Sequence, residues 1–440
     1  MNILSQVAKG MQAILTGAAD IIAFNTGFIQ RLRKFTGSVF VQTLVFGWLS
    51  NPKATLEELT QTAATLGISI TPQGLDKRFT SVCAHFIKQV LEAAVATVIA
   101  EKPVAIPVLQ RFNGVYIQDS STITLPDLLA VIWKGCGGST AENTSSSIKT
   151  QIRLNLNTGE LIGPYLQSGK ENDLRSFISE RPLPKGSLWI ADLGYFSLSF
   201  FKGLHSKGIY WLSRVKSLCD VYYLGNRFSL LNLLEEHCHD NMDIEVMLGA
   251  KERVDCRLLA VRVPDEVAKL RRCKIIQEAQ RKGRKIALKS LKVASFSVLC
   301  CNIPYEMLNM NEAFVLMRTR WQIELIFKLW KNHGCIDEWR SKKPWRIMCE
   351  VYAKLIAMII QHWILLLSCW QYPDRSLFKA VKTIKRHAMN LASAFASGYE
   401  QRLHEVLETI QRCLSVGCRI NKRKTKPHNY QLLLDINDIP

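Results

Sequence analysis

"VLMRTRWQIELIFKLWK", residues 315–331, sets one acid, Glu324, among four bases, Arg318, Arg320, Lys328 and Lys331, in otherwise mostly apolar text. At about 100° per helical residue, Met317, Arg320, Glu324, Lys328 and Lys331 fall within an arc of about 80°. Trp321, Ile323, Leu325, Ile326, Phe327, Leu329 and Trp330 cover the other faces, so a buried helix with one polar stripe is expected. An i,i+4 surface pairing of Glu324 with Arg320 or Lys328 would suit such a stripe, and so would a long interface helix. Neither explains why bases so outnumber the acid. An acid that holds a cation, flanked by bases that hold phosphates, explains both signs, because charge facing an interior needs a partner.

Acids that could join Glu324 stand upstream. "GVYIQDS" is a short apolar run ending in Asp119, and "GSLWIADLGYF" reads as a buried strand ending at Asp192. A strand-end aspartate is commonly a turn former. Two of them in one α/β unit, with an acid on a following buried helix, also compose a three-carboxylate metal site. Oxygen-only ligands suit Mg²⁺, with Mn²⁺ as a substitute. Two such ions about 4 Å apart activate a water or hydroxyl and stabilise the leaving oxygen in phosphodiester displacement.

Around these residues the order is strand, hairpin, helix, strand, helix, strand, a mixed α/β layer. The hairpin is "SIKTQIRLNLN", turned by "TG" and returned by "ELIGPYLQS". Between residues 216 and 293 short strands lead into "KLRRCKIIQEAQRKGRKIALKSLK", and this block interrupts the layer before "FSVLCCNIP" resumes it. The run 269–292 holds ten Lys/Arg against one acid, which suits DNA backbone contact or a solvated face.

The first hundred residues read as helical. "TLEELTQTAATLG" opens with a capping box, Thr55 and Glu58, and stops at Gly67. A second helix is expected from Thr71 and Pro72, so the pair is either a DNA-binding helix-turn-helix or an ordinary helical hairpin. Lys77 and Arg78, with the nearby Arg31, Arg33 and Lys34, are candidate DNA contacts.

Composition sets bounds on all of this. The 440 residues carry 57 bases against 37 acids, a net charge of +20 that favours a polyanionic partner. Thirteen scattered cysteines without a C-x-x-C pair suit a reduced, intracellular protein. The start lacks the pattern of a secretory signal. "VYAKLIAMIIQHWILLLSCW" (351–370) includes Lys354, Gln361 and His362, so a buried helix is expected rather than a membrane span. "EEHCHD" (235–240) lacks a second ligand pair for zinc, and "GCGGST" (135–140) lacks the lysine of a phosphate loop.

"YIQDSSTITLP", "WIADLGYFS" and "RTRWQIELIFKLWK", with "NIP" ahead of the last and "TLEELTQTAATLGISITPQGLDKRF" near the start, resemble one known family. The chain is similar over most of its length to bacterial insertion-sequence transposases of the DDE type, in the IS-four branch with its Y-x2-R-x3-E-x6-K signature. The resemblance implies an RNase H-like mixed-sheet core interrupted by a β-rich insertion, with helical N- and C-terminal regions. The implied divisions are 1–105 (DNA-binding), 106–215 and 294–370 (core), 216–293 (insertion) and 371–440 (helical, dimerising). It also implies Asp119, Asp192 and Glu324 as metal-binding catalytic triad, and Arg320 and Lys331 as phosphate contacts, with Lys328 beside them.

Trp321 would stack on a displaced base. Met317 stands where the signature has tyrosine; methionine packs against a base but offers a phosphate no hydroxyl. The implied activity is metal-dependent cleavage at transposon ends and 3′-OH transfer into target DNA, by a homodimer when two ends are paired, in the bacterial cytoplasm at the nucleoid and without a membrane. A decayed copy that binds DNA without catalysis, or a nuclease of the same fold, are the alternatives.

Overall fold

"LWIA" (188–191) is buried at all four positions, as a strand covered on both faces must be, which is why its text is continuously apolar rather than alternating. The computed structural model describes residues 2–31, 35–136, 145–176, 178, 181–281, 283, 285–372, 374–421 and 428–434. Among them the strands are β1 (Val115–Leu125), β2 (Ser146–Asn155), β3 (Leu161–Ser168), β4 (Leu188–Ala191), β5 (Tyr210–Arg214), β6 (Asp220–Tyr223), β7 (Asn226–Ser229), β8 (Asn241–Leu248), β9 (Val254–Arg262) and β10 (Phe296–Cys301). The fold is mixed α/β, with parallel and antiparallel pairings. The chain forms two compact units, one of 1–105, 119–180 and 322–426, the other of 106–118, 181–321 and 427–440.

In the first unit, helices Ile3–Gln12, Ala19–Asn25, Gly37–Ser50, Leu56–Thr65, Pro72–Asp76 and Ser81–Ala96 fill the N-terminal segment. Pro344–Leu366 is its central helix, buried from Ile347 to Leu366, so the apolar stretch with Lys354, Gln361 and His362 is interior. Lys354 is held by Glu350 at 2.8 Å and by the carbonyls of Cys335 and Glu338. Ile3–Asn25 is also long and apolar enough to cross a membrane, with 44% of its window buried. Gly37 is required for packing: a Cβ there would stand 2.3 Å from that of Ala23.

The β2–β3 hairpin forms as expected, antiparallel, with a register shift between Gln151 and Arg153. The Thr55–Glu58 capping box forms, and Gly67 takes φ +80 just after that helix. The expected second helix is broken. Pro72–Asp76 ends after five residues, and Ser81–Ala96 starts anew with Thr80 as its cap. Asp76 is drawn into ion pairs with Lys343 (2.6 Å) and Arg346 (3.1 Å), which hold its carboxyl below the usual range. A continuous second helix of a helix-turn-helix is therefore absent.

In the second unit the strand order is β1-β4-β5-β10-β9-β8-β6-β7. β1, β4 and β5 run parallel, and helix Leu198–Ser206 crosses between β4 and β5, its Phe201 stacked on Trp211 at 4.4 Å. The block 216–293 supplies β6 to β9, with helices Leu230–His237, Asp265–Arg281 and Leu288–Val293. Leu224 and Gly225, both at positive φ, make the two-residue turn of the β6–β7 hairpin. The basic run is thus largely helical. Arg271 and Arg272 anchor it, bonding the Phe296 and Leu291 carbonyls and the Ser297 and Ser295 hydroxyls.

Candidate active site

The parallel register of β1 and β4 runs from Val115↔Leu188 to Gln118↔Ala191. Asp119 and Asp192 are the residues that directly follow that last pair. Asp192 leaves β4 as expected and precedes a single 3₁₀ turn, Leu193–Tyr195, with 43% of its side chain exposed. Asp119 does not end its strand. β1 continues to Leu125, because its second half gains new partners in the first unit; the Thr150 hydroxyl of β2 donates to the Ser121 carbonyl there.

Asp119 is half-buried, and one of its oxygens accepts the Ser120 amide at 2.8 Å. The Ser120 hydroxyl donates to Asp173 (3.0 Å), whose same oxygen accepts from Gln151 (2.9 Å) and pairs with Lys149 (3.0 Å). Asp173 was not among the candidates. It lies in "NDLRSFISE", read as the helix after the hairpin, where an acid in polar text signals no site, and only the fold brings it beside β1.

The stretch 315–331 is two helices, Met310–Thr319 and Trp321–Asn332, with a turn at Arg320. The buried Thr319 hydroxyl donates to the Leu316 carbonyl, and Arg320 keeps right-handed helical angles (φ −50, ψ −28). Glu324, Lys328 and Lys331 therefore share one helix and an arc of about 60°, while Met317 lies on helix Met310–Thr319 and Arg320 at the turn between the two. Met317 is 6% exposed, its thioether packed inside the protein. Trp321, expected on a buried face, is 48% exposed because it opens the second helix.

Two anchors set the approach to this region within the second unit. The Asn309–Glu312 capping box starts helix Met310–Thr319, and Arg111 grips Glu312 through two bonds of 2.7 and 2.8 Å. Arg257, buried, is paired with Asp243 at 2.6 Å and donates to the Ile303 and Leu308 carbonyls. Asn302 of "NIP" accepts the Trp211 amide and donates to the Ile209 carbonyl, tying that loop to β5. Arg320 is buried, its Nε 4.0 Å from Asp192.

In the first unit, Glu324 is half-buried and Lys328 exposed. Lys331 donates to the Thr122 carbonyl of β1 at 2.9 Å and stands 3.9 Å from Asp337. Lys77 is exposed at the end of helix Pro72–Asp76. Arg31 and Arg78 line one hollow of about 340 Å³ with Phe28 and Phe35, the Arg78 guanidinium 4.5 Å over the Phe35 ring. Arg33 and Lys34 lie outside the described residues.

Among the described residues no three His, Cys, Asp or Glu side chains are gathered closely enough to hold an ion. Like-charged carboxylates repel until a cation screens them. The donor chemistry of Asp119, Asp192 and Glu324, all carboxylate oxygen, fits a hard divalent cation.

A family model described as "Transposase DDE domain" matches residues 110–360. The chain is 27% identical over 442 residues to "Transposase for insertion sequence element IS231E" of Bacillus thuringiensis subsp. finitimus, with 92% of this chain and 88% of that protein covered. It is 28% identical to the IS231F transposase of Bacillus thuringiensis subsp. israelensis, with 93% and 90% covered. Identity to the IS1151 transposase of Clostridium perfringens is 27%, with 77% and 76% covered. With more than half of its residues matched by that model, the chain belongs to the DDE transposase family of insertion sequences.

Proposed function

We propose that this transposase cleaves DNA at the ends of its element and transfers the freed 3′-hydroxyl into target DNA, with Asp119, Asp192 and Glu324 as ligands for two Mg²⁺ ions. The observation that carries this reading is the succession of Asp119 and Asp192 to the registered pair Gln118↔Ala191, each at the point where its strand leaves that ladder. The parallel β1-β4-β5 arrangement and the β2–β3 hairpin support an RNase H-like core, with 216–293 as its insertion.

In cleavage a water oxygen bonds to the end phosphorus, its proton passes to solvent, and the P–O3′ bond breaks, the freed 3′ oxygen taking up a proton. In transfer that hydroxyl oxygen bonds to a target phosphorus, its proton is lost, and the target's own 3′ oxygen leaves. Asp119, Asp192 and Glu324 would hold the cations, which when bound would supply Lewis-acid charge at the attacked phosphate and lower the pKa of the attacking oxygen. Arg320 beside Asp192 balances that carboxylate's charge. Exposed Lys328 neutralises backbone phosphate, and exposed Trp321 stacks on an unpaired base.

Lys77, Arg31 and Arg78 serve end recognition, supported by the exposure of Lys77 and by the exposed Arg31 and half-buried Arg78 that line the aromatic hollow. The divisions 1–105, 106–215, 216–293, 294–370 and 371–440 carry recognition, core, insertion, core and dimerisation. The protein works on double-stranded DNA as a homodimer in the bacterial cytoplasm, two copies pairing two ends.

The test is Glu324→Gln. It abolishes Mg²⁺-dependent cleavage of an end-bearing duplex and leaves binding of that duplex intact. Cleavage at the wild-type rate by this variant would sink the ligand assignment, and a wild type that binds ends without cutting them would make the protein a DNA-binding derivative.

A further inference from the structure

Lys331 occupies the place that the resemblance gives to a phosphate contact, yet its ammonium is committed within the first unit. It donates to the Thr122 carbonyl at 2.9 Å and faces Asp337 at 3.9 Å. Thr122 lies three residues beyond Asp119 on β1, and Lys331 lies two turns beyond Glu324 on its helix. A charged donor on a strand carbonyl is among the stronger hydrogen bonds. Here it links the backbone that carries one proposed ligand to the helix that carries another. Ser120, the residue after Asp119, is held by Asp173, so the segment Asp119–Thr122 is tethered at two points. Lys328, one turn earlier on the same stripe, is exposed and better placed to meet DNA.

We infer that Lys331 is a positioning residue, which fixes the Glu324 helix against β1 and so presets the spacing of two metal-holding carboxylates, rather than a residue that grips DNA. This rests on the proposed ligand assignment. Outer-shell groups of this kind typically change metal affinity or activity by 10–100-fold when removed. A phosphate contact would instead contribute about one unit to the salt slope of binding.

The experiment uses the full chain with Lys331→Met and Lys331→Gln, with Glu324→Gln as control. End-duplex binding is titrated against salt without divalent metal, cleavage against Mg²⁺, and backbone hydrogen exchange of 119–125 and 324–331 is followed in the free protein. For Lys331→Met the expected result is an unchanged salt slope, a Mg²⁺ half-saturation raised about tenfold or more, and faster exchange in both segments. Lys331→Gln, which keeps a donor but no charge, recovers part of the exchange protection while its salt slope also stays at the wild-type value. A slope lowered by about one in both variants, with exchange unmoved, would make Lys331 a DNA contact and overturn the inference. Wild-type Mg²⁺ dependence and exchange would overturn it equally. Should Lys331→Met fail to fold, the salt slope and exchange of Lys331→Gln decide. Full cleavage by Glu324→Gln would fail the ligand assignment itself, a separate result.

Discussion

Arg111 and Glu312 lie far apart in the chain, yet their paired bonds set the start of the helix that leads to Arg320. Glu312 is buried and also serves as the third residue of the capping box, so its carboxylate answers both the Asn309 amide and the Arg111 guanidinium. Arg111→Met leaves that carboxylate buried with one partner fewer. The expected loss is about 3 kcal/mol in unfolding free energy by urea titration. Adding Glu312→Gln removes the uncompensated charge and recovers part of the loss, a non-additivity that a double-mutant cycle reads directly. Glu324, Lys328 and the two aspartates were visible in the text because charge inside apolar runs is conspicuous. Asp173, Arg111 and Arg257 were not, because a polar residue in polar text gives no sign of the carbonyl or carboxylate it will meet.

Elements with a complete local cause appear where the sequence indicates. The Thr55–Glu58 capping box with its Gly67 stop and the β2–β3 hairpin each carry their own start or stop signal. The failures are breaks: the second N-terminal helix ends at Asp76, and the long Glu324 helix divides at Arg320. In both, periodicity continues through the break; at the first, a side chain finds a stronger tertiary partner, Asp76 with Lys343.

A different tertiary bond docks the β2–β3 hairpin on the central helix. His362 is hydrogen-bonded to the Gly159 carbonyl at 2.7 Å, and burial pushes its pKa down from 6.5 to about 4. A histidine with a depressed folded pKa takes up protons first in the unfolded chain. Its contribution to stability is therefore intact above 6.5 and is lost as pH falls from there toward 4, at up to about 1.4 kcal/mol per pH unit. Urea midpoints should drop between pH 7.5 and 5.5, and the drop should be smaller in His362→Gln.

Across the whole molecule the charge of +20 makes binding of DNA steeply salt-dependent. That charge is not uniformly available: Arg257, Arg271, Arg272, Arg320 and Lys354 are spent on protein carbonyls, hydroxyls or carboxylates. Lys328→Gln should lower the salt slope of end binding by about one and leave Mg²⁺ half-saturation unchanged, the reverse of the pattern expected for Lys331. An unchanged slope in that variant would remove Lys328 from the DNA face.

The sequence by itself determined the family, through spacing that survives without a structure, while net charge narrowed the partner only to a polyanion. It also determined the elements whose caps and turns are local. The tertiary structure alone decided which cations are drawn onto protein groups, where the helix of Glu324 begins, and which polar residues hold β1. Those outcomes depend on groups distant in the chain competing for the same carbonyls and carboxylates, and buried polar groups settle where their hydrogen bonds are satisfied, not where periodicity would put them.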